Sequence, residues 1–100
     1  MENVLVQHIE QTPGVVGGKP RIAGHRVRVM DIAFWHEKRG LTPDEIVDLF
    51  PGLTLADVHA ALAYYFDHRA EIESAFEREA ALSAELKARY PSKLQARLRD

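Results

Sequence analysis

The feature that most constrains this chain is a helix-start pattern that occurs twice, twelve residues apart. The segments GLTPDEIV (40–47) and GLTLADVH (52–59) share the order glycine, leucine, threonine, with an acid three residues after the threonine. Such a threonine and acid predict a capping box, in which each side chain accepts a hydrogen bond from the other residue's backbone N–H. The pattern predicts helices that begin directly after Thr42 and Thr54. Pro51 ends the first of them, which we expect over 43–50.

Weaker signals predict the remaining elements. Residues 3–9 and 21–29 alternate in part between apolar and polar side chains, and each segment predicts a short strand, the second one following a bend at Ala23–Gly24. From residue 30 the spacing becomes helical, which predicts a helix over 30–39 with a glycine directly after it. The apolar stripe that begins at Leu55 continues in a heptad pattern as far as Leu86 and Tyr90. The polar residues that interrupt it are Arg69, Glu79 and Ser83. We therefore expect either two helices there or one helix with a kink near 67–69.

Together these elements predict a mainly α fold. Three helices joined by tight turns have the proportions of a helix-turn-helix core, with a short N-terminal β element before it and a C-terminal helical extension after it. We expect residues 1–70 to form one domain and residues 71–100 to form the extension. One hundred residues bury only a modest core, so a second copy or another protein is expected to share in the stability.

Composition and motifs exclude several classes of protein. The chain has no cysteine, so disulfides and thiolate metal sites are ruled out. No stretch reaches the ~18 apolar residues of a membrane span and no signal peptide is visible, so we expect a cytoplasmic protein. The five histidines lack metal-binding spacing, and no nucleophile or phosphate-loop motif is present. We expect no enzyme activity, no catalytic residue, no metal or other cofactor and no small-molecule substrate.

The most polar feature is a basic segment over residues 19–28. The whole chain has a formal net charge of −2, yet this segment has four cations and no acid. A basic segment on an extended support is suited to backbone phosphates, and it is equally typical of a solvated edge strand. The candidate DNA-binding residues are the four cations of this segment and one histidine from a later helix: Lys19, Arg21, Arg26, Arg28 and His59.

The helix over 55–66 occupies the position of a recognition helix, but its side chains suit that role poorly. Outside its apolar stripe it offers His59 but no Arg, Lys, Asn or Gln, the residues that usually contact base edges. Asp57 would repel phosphate. Packing within the domain or across a dimer is the better interpretation of this helix. The aromatic rings at 64–66 cannot all face one core, so at least one is expected at a second surface, which favours a homodimer or a partner protein.

Two segments together resemble a known family. TPGVVGGKPRIAGHRVRVMDIA (12–33) and GLTPDEIVDLFPGLTLADVHAALAYYFDHRAEI (40–72) are similar to the domain of unknown function 433 family. The shared pattern joins a Gly-Gly-Lys-Pro-Arg turn and a Gly-x-Arg bend to a later proline and Leu-Thr segment. The similarity runs from about residue 9 to about residue 72. His25 departs from the pattern, because the family commonly has Thr or Ser at that bend.

The resemblance implies a homeodomain-like fold and the function of a VapB-type antitoxin. Such a protein forms a homodimer, represses its own operon by binding operator DNA, and neutralises a PIN-like ribonuclease toxin through its C-terminal segment. A guanidinium placed among the carboxylates that hold Mg²⁺ or Mn²⁺ in the nuclease would block it. The candidate toxin-binding residues are Arg89, Leu94, Arg97, Leu98 and Arg99. The alternative is a protein-interaction adaptor or dimerisation module that binds no DNA, which the acidic bias of 44–67 favours.

Overall fold

The computed structural model describes residues 8–90, and this part of the chain is mainly helical, as predicted. Within it, four α-helices accompany one antiparallel sheet of two short strands. Ile9 pairs with Ile22, and Glu10 pairs with Arg21. The strands are β1 (Ile9–Glu10) and β2 (Arg21–Ile22), and the helices are α1 (Val29–Glu37), α2 (Pro43–Leu49), α3 (Leu55–Asp67) and α4 (Arg69–Arg89).

Both repeated helix starts are confirmed. At the start of α2 the Glu45 backbone N–H donates to the Thr42 hydroxyl at 3.2 Å, and the Thr42 N–H donates to the Glu45 carboxylate at 3.1 Å. Thr54 and Asp57 make the same exchange at the start of α3, at 3.1 and 3.0 Å. Each box satisfies two backbone donors that a helix end otherwise leaves without partners. The two boxes therefore fix where the turn between α2 and α3 ends and where each helix begins.

The strand predicted over 21–29 is much shorter than expected. β2 ends at Ile22, and the chain reverses through Gly24, whose φ of 79° suits a residue without a side chain. Arg28 then returns to form a single antiparallel bridge with Arg21. The partial alternation of Arg and Val in this segment thus comes from a tight reversal and not from a continuous strand.

A helix start takes the place of the second half of that strand. Val29 begins α1, because the Asp31 carboxylate accepts a hydrogen bond from the Arg28 backbone N–H at 3.0 Å and satisfies an otherwise open donor. The other strand was predicted over 3–9. Residues 3–7 lie outside the described residues, and β1 is found at the end of the predicted segment.

We call β1, β2 and the helices α1 to α3 the body, and its core is centred on α3. Val58, Ala61 and Tyr65 of this helix are fully buried, and they pack with side chains from β2, α1 and α2. Burial of a large apolar side chain contributes about 1.5 to 3 kcal/mol, so this cluster supplies much of the driving force for folding. The largest completely buried side chains are Ile22, Val29, Ile32, Ile46, Val58 and Tyr65.

The chain bends at His68, so the interrupted stripe correctly indicated two helices. His68 has non-helical backbone angles between α3 and α4. α4 first packs on the body through the buried Ile72, and it then leaves the body, since every residue from 80 to 90 is exposed. This exposed part is about 15 Å long at the usual helical rise. None of the helices within residues 8–90 is long and apolar enough to cross a membrane.

Candidate functional site

Two cations of the basic segment, Lys19 and Arg28, pair with the same acid from a distant part of the chain. The Arg28 guanidinium lies 2.7 Å from a carboxylate oxygen of Asp31 and 2.7 Å from one of Glu79. The Lys19 ammonium lies 3.1 Å from the same Glu79 oxygen. Glu79 belongs to α4, more than fifty residues further along the chain. We call Lys19, Arg28, Asp31 and Glu79 the charge cluster; it joins the N-terminal segment to α4.

The electrostatics of the charge cluster favour its ionised form. The hydrogen bond from Arg28 holds the pKa of the Glu79 carboxyl below its usual value, and Lys19 adds to this effect against the opposing influence of burial. Conversely, the hydrogen bond to Asp31, with that to Glu79, raises the pKa of the Arg28 guanidinium although burial opposes it. Because two of the predicted phosphate ligands already hold carboxylates, DNA would have to compete with these internal pairs.

Arg21 is held inside the fold. Its side chain is only 11% exposed and lies 2.7 Å from the Glu10 carboxylate across the small sheet. It also donates to the Thr12 hydroxyl at 3.2 Å and to the His25 carbonyl at 3.0 Å. These bonds hold the reversal after β2 in place, so the geometry gives Arg21 a structural role beside the predicted DNA-binding one.

Arg26 and His59 are exposed, and they differ in this from Arg21. Arg26 lies on the bend after β2, next to His25. A Cβ atom on Gly52 would lie 3.2 Å from the His25 ring, so this bend touches the turn between α2 and α3. His59 lies on the outer side of α3. Among the predicted DNA-binding residues, these two are the ones that the described chain leaves most accessible.

The surface beside these residues is acidic. α2 exposes Asp44, Glu45 and Asp48 to solvent. Asp57 at the start of α3 lies 2.6 Å from the ring of His8. Burial would raise the pKa of Asp57, but its hydrogen bonds from Thr54 and His8 outweigh this and lower it, so the group stays ionised. An ionised acidic helix next to the turn is unfavourable for a close approach of phosphates.

The first part of α4, residues 69–79, is attached to the body by packing and by polar contacts. Ile72 is buried, and the ring of Phe76 packs edge-to-face on Phe34 at 5.8 Å between centroids. The Tyr65 hydroxyl donates to the Glu73 carboxylate at 2.6 Å, and the Lys38 ammonium also lies within 3.1 Å of Glu73.

These contacts shift the pKa values of Tyr65 and Glu73 in opposite directions. Burial, with the bond to Glu73, raises the pKa of Tyr65 to about 12. The hydrogen bonds from Tyr65 and Lys38 in turn lower the pKa of Glu73. Both shifts favour an ionised Glu73 that accepts a hydrogen bond from a neutral tyrosine, so this polar contact is maintained at neutral pH.

The last part of α4 and the residue after it, residues 80–90, carry an apolar stripe that faces solvent. Leu82, Leu86 and Tyr90 are 55%, 47% and 72% exposed, and they follow one another at intervals of four residues on one side of the helix. The exposed Arg89 pairs with Glu85 at 3.0 Å. We call residues 80–90 the projecting segment. Of the predicted toxin-binding residues, Arg89 lies in it, whereas Leu94, Arg97, Leu98 and Arg99 lie outside the described residues.

Sequence reasoning included Leu86 and Tyr90 in a heptad pattern and missed several residues of these surfaces. Leu82 was not predicted to lie on the stripe, because the extrapolated heptad placed Ser83 there. Glu79 was counted as an interruption of the apolar pattern, although it holds the charge cluster together. In the part of the chain that the structure describes, no group of three or more His, Asp or Glu side chains is arranged to hold a metal ion.

Residues 9–65 match the model of a family described as a protein of unknown function, DUF433. The chain belongs to the DUF433 family. A crystal structure of another DUF433 member, from Anabaena variabilis, is similar with a TM-score of 0.65 and 34% sequence identity. The similarity covers 71% of this chain and 69% of that chain. No curated protein matches the chain.

The DUF433 match covers the body of the molecule. It begins at β1, contains α1 and α2, and ends at Tyr65, two residues before α3 ends. The resemblance inferred from the sequence is thus confirmed at the level of the family. α4, with the projecting segment, follows the matched residues.

Proposed function

We propose that this DUF433 protein is an antitoxin that neutralises a PIN-like ribonuclease through its projecting segment. The observation that carries the proposal is the exposed stripe of Leu82, Leu86 and Tyr90 on a helix that has left its own body. Three large apolar side chains at helical spacing are typical of a helix that binds in the groove of another protein. A helix of this length is also marginal alone in water, so a partner groove would stabilise it.

The charges of the projecting segment fit a nuclease partner. PIN-type nucleases hold a divalent cation in a carboxylate cluster, and a guanidinium among those carboxylates makes strong charge-assisted bonds. Arg89 is available for this, because its pair with Glu85 is exposed and such pairs contribute only ~0 to 1 kcal/mol. Leu94, Arg97, Leu98 and Arg99 would extend the same contact, as the resemblance implies.

The experiment is a ribonuclease assay with the PIN-like protein encoded next to this chain. Leu86→Glu places a charge in the middle of the stripe, and we expect it to abolish inhibition. Ala88→Glu is the matched control, because it adds the same charge to the opposite side of the same helix. A second variant, Arg97→Ala with Arg99→Ala, is expected to weaken inhibition without preventing binding.

The result that rejects the proposal is equally clear. If Leu86→Glu inhibits the nuclease as well as the wild type does, the stripe is not the docking surface. If no nuclease is encoded beside the chain and the stripe binds an unrelated protein, the adaptor function is correct. Unchanged inhibition by the double arginine variant rejects Arg97 and Arg99 as the blocking residues and leaves the docking surface as proposed.

A second candidate function is operator binding by a homeodomain-like helix-turn-helix core. It is favoured by the short turn at 50–54 between two helices that pack on each other, and by the exposed Arg26 on the bend that touches this turn. The acids of α2 and the internal pairs of Lys19 and Arg28 oppose it. An adaptor or antitoxin that binds no DNA is therefore the stronger alternative.

A salt titration of binding to DNA from upstream of the coding region distinguishes these functions. A protein that neutralises several phosphates loses affinity steeply with salt. We expect at most a shallow dependence, and we expect Arg26→Ala to remove most of it. A steep dependence that Lys19→Ala and Arg28→Ala reduce would instead establish the basic segment as a phosphate-binding site.

A further inference from the structure

The outer side of α3 forms an apolar surface that the body does not cover. Leu55, Ala56, His59, Ala63 and Phe66 are all exposed, and at 100° per residue they share an arc of about 100°. We call these five residues the α3 face. Leu55 is 43% exposed and Phe66 is 53% exposed, which is unusual for large apolar side chains on a helix whose other side forms the core.

The α3 face contrasts with its surroundings in charge. None of its five residues is an acid, a lysine or an arginine, although residues 44–67 contain five acids. Depletion of charge together with an exposed aromatic ring is typical of the centre of a protein interface. The flanking acids make nucleic acid an unfavourable occupant, and His59 is the one side chain of the face suited to contact a base edge.

We propose that the α3 face binds a second copy of this chain, with the two α3 helices packed antiparallel across a two-fold axis. The sizes of the side chains favour a second copy of the chain over a different protein. Ala56 and Phe66 lie at opposite ends of the face, about 15 Å apart along the helix. A two-fold axis midway between them places each Phe66 ring on Ala56 of the second copy.

The same axis sets His59 opposite Ala63 of the second copy, so each ring of the face meets an alanine. Leu55 lies at the edge of the interface, opposite position 67. Alanines let two helices approach to the 8–10 Å that close helix packing needs. A two-fold interface must be complementary to itself, and the pairs of positions 56 with 66 and 59 with 63 meet that condition. A different protein would require no such symmetry between the ends of the helix.

The proposal does not depend on the proposed antitoxin function, because it uses α3 and not the projecting segment. It also assigns the helix in the recognition position to dimerisation, which removes His59 from contact with DNA. Each dimer would then present two projecting segments to other proteins.

Engineered cysteines test the register directly, because the natural chain has none. The two single variants His59→Cys and Ala63→Cys are purified separately, mixed and oxidised. We expect a covalent dimer in the mixture and little in either variant alone, since the antiparallel register brings position 59 to position 63. Covalent dimers in each separate variant would indicate parallel helices and overturn the proposal. Absence of a covalent dimer in all three samples would also overturn it.

A size swap gives a second test by sedimentation equilibrium of the full chain. Phe66→Ala and Ala56→Phe are each expected to raise the dimer dissociation constant at least about tenfold, by lost packing and by crowding of two rings. The double variant restores one ring opposite one alanine, so its constant should return to within about threefold of the wild type. Both positions of this cycle are exposed in one chain, and circular dichroism verifies the fold.

The cycle has two contradicting outcomes. A wild-type chain that sediments as a monomer at every concentration removes the second copy as the occupant. A double variant as weak as the weaker single variant removes the Phe66 to Ala56 pairing. Neither outcome affects inhibition of a nuclease by the projecting segment, so failure here and failure of the proposed function are distinguishable.

Discussion

Residues 69–79 and 80–90 both carry large apolar side chains at helical spacing, but these side chains lie in opposite environments. In residues 69–79 the apolar side chains Ile72 and Phe76 pack on the body. Glu73 binds the lysine directly after α1, and Glu79 binds two cations of the basic segment. The projecting segment, residues 80–90, has three large apolar side chains as well, yet all of them face solvent. Its ion pair, between Glu85 and Arg89, lies within its own helix.

The difference shows that the apolar stripe of a helix does not by itself determine what covers it. The body offers a surface with matching rings and cations only as far as Glu79. Beyond that point the same stripe continues without an internal partner in the part of the chain that the structure describes. A stripe that continues past its own body is most simply explained by a surface on another protein.

The largest effect expected is a contrast in stability between the two parts of the helix. Ile72→Ala opens a cavity under residues 69–79 and should lower the free energy of unfolding by about 3 kcal/mol. Leu86→Ala should change it by less than ~0.5 kcal/mol, because the side chain is already exposed. Urea denaturation followed by circular dichroism measures both. Equal losses for the two variants would mean that the projecting segment is packed on the body.

The second-largest loss of stability is expected when the charge cluster is disrupted. Glu79→Gln removes the carboxylate shared by Lys19 and Arg28 and should cost about 1 kcal/mol, a modest value because Glu79 is 43% exposed. Glu77→Gln, two positions away on the exposed side, is the control and should be nearly neutral. A Glu79→Gln variant as stable as the control would show that the cluster does not hold α4 to the body.

Acid should weaken the attachment of α4 to the body through Glu79, because protonation removes the charge of its carboxylate. The folded pKa of Glu79 lies below its usual 4.5, so the pair contributes fully above that value and loses its contribution as the pH falls through the folded pKa. The difference in melting temperature between wild type and Glu79→Gln should therefore be constant at neutral pH and shrink below 4.5. A difference that grows as the pH falls would contradict the assigned direction.

The smallest effect concerns the ion pair of the projecting segment. Arg89→Ala removes the pair with Glu85 at i, i+4 and should cost only about 0.3 kcal/mol, seen as slight fraying of the helix end in nuclear magnetic resonance shifts. Lys87→Ala is the control on the same turn. Global destabilisation by Arg89→Ala would be inconsistent with a segment that does not touch the body.

Local patterns were the ones that the sequence predicted well. The capping boxes at Thr42 and Thr54 depend on residues three positions apart, so their chemistry is visible in the chain itself. A bend at Gly24 could be predicted, but the complete reversal could not, because it depends on Arg21 bonds to Glu10 and Thr12 and on a helix start at Val29. The local alternation of Arg and Val could not show that a reversal and a helix start would replace the strand there.

The charge cluster shows the same limit for the candidate site. Residues 19–28 contain no acid, which made a phosphate site attractive, but Glu79 lies 60 residues beyond Lys19 and meets it only in the fold. Sequence spacing had no means of pairing these two charges. The exposed stripe could be predicted in part, since Leu86 and Tyr90 follow helical spacing, whereas its exposure depends on where the body ends.

Hydrogen exchange with mass spectrometry on the full chain tests the central claim most directly, with and without the neighbouring nuclease. The account predicts slow exchange in residues 69–79 in both samples, and fast exchange in residues 80–90 that becomes slow when the nuclease is added. A nuclease that is inhibited while residues 80–90 continue to exchange fast would contradict the claim that the projecting segment is the docking surface.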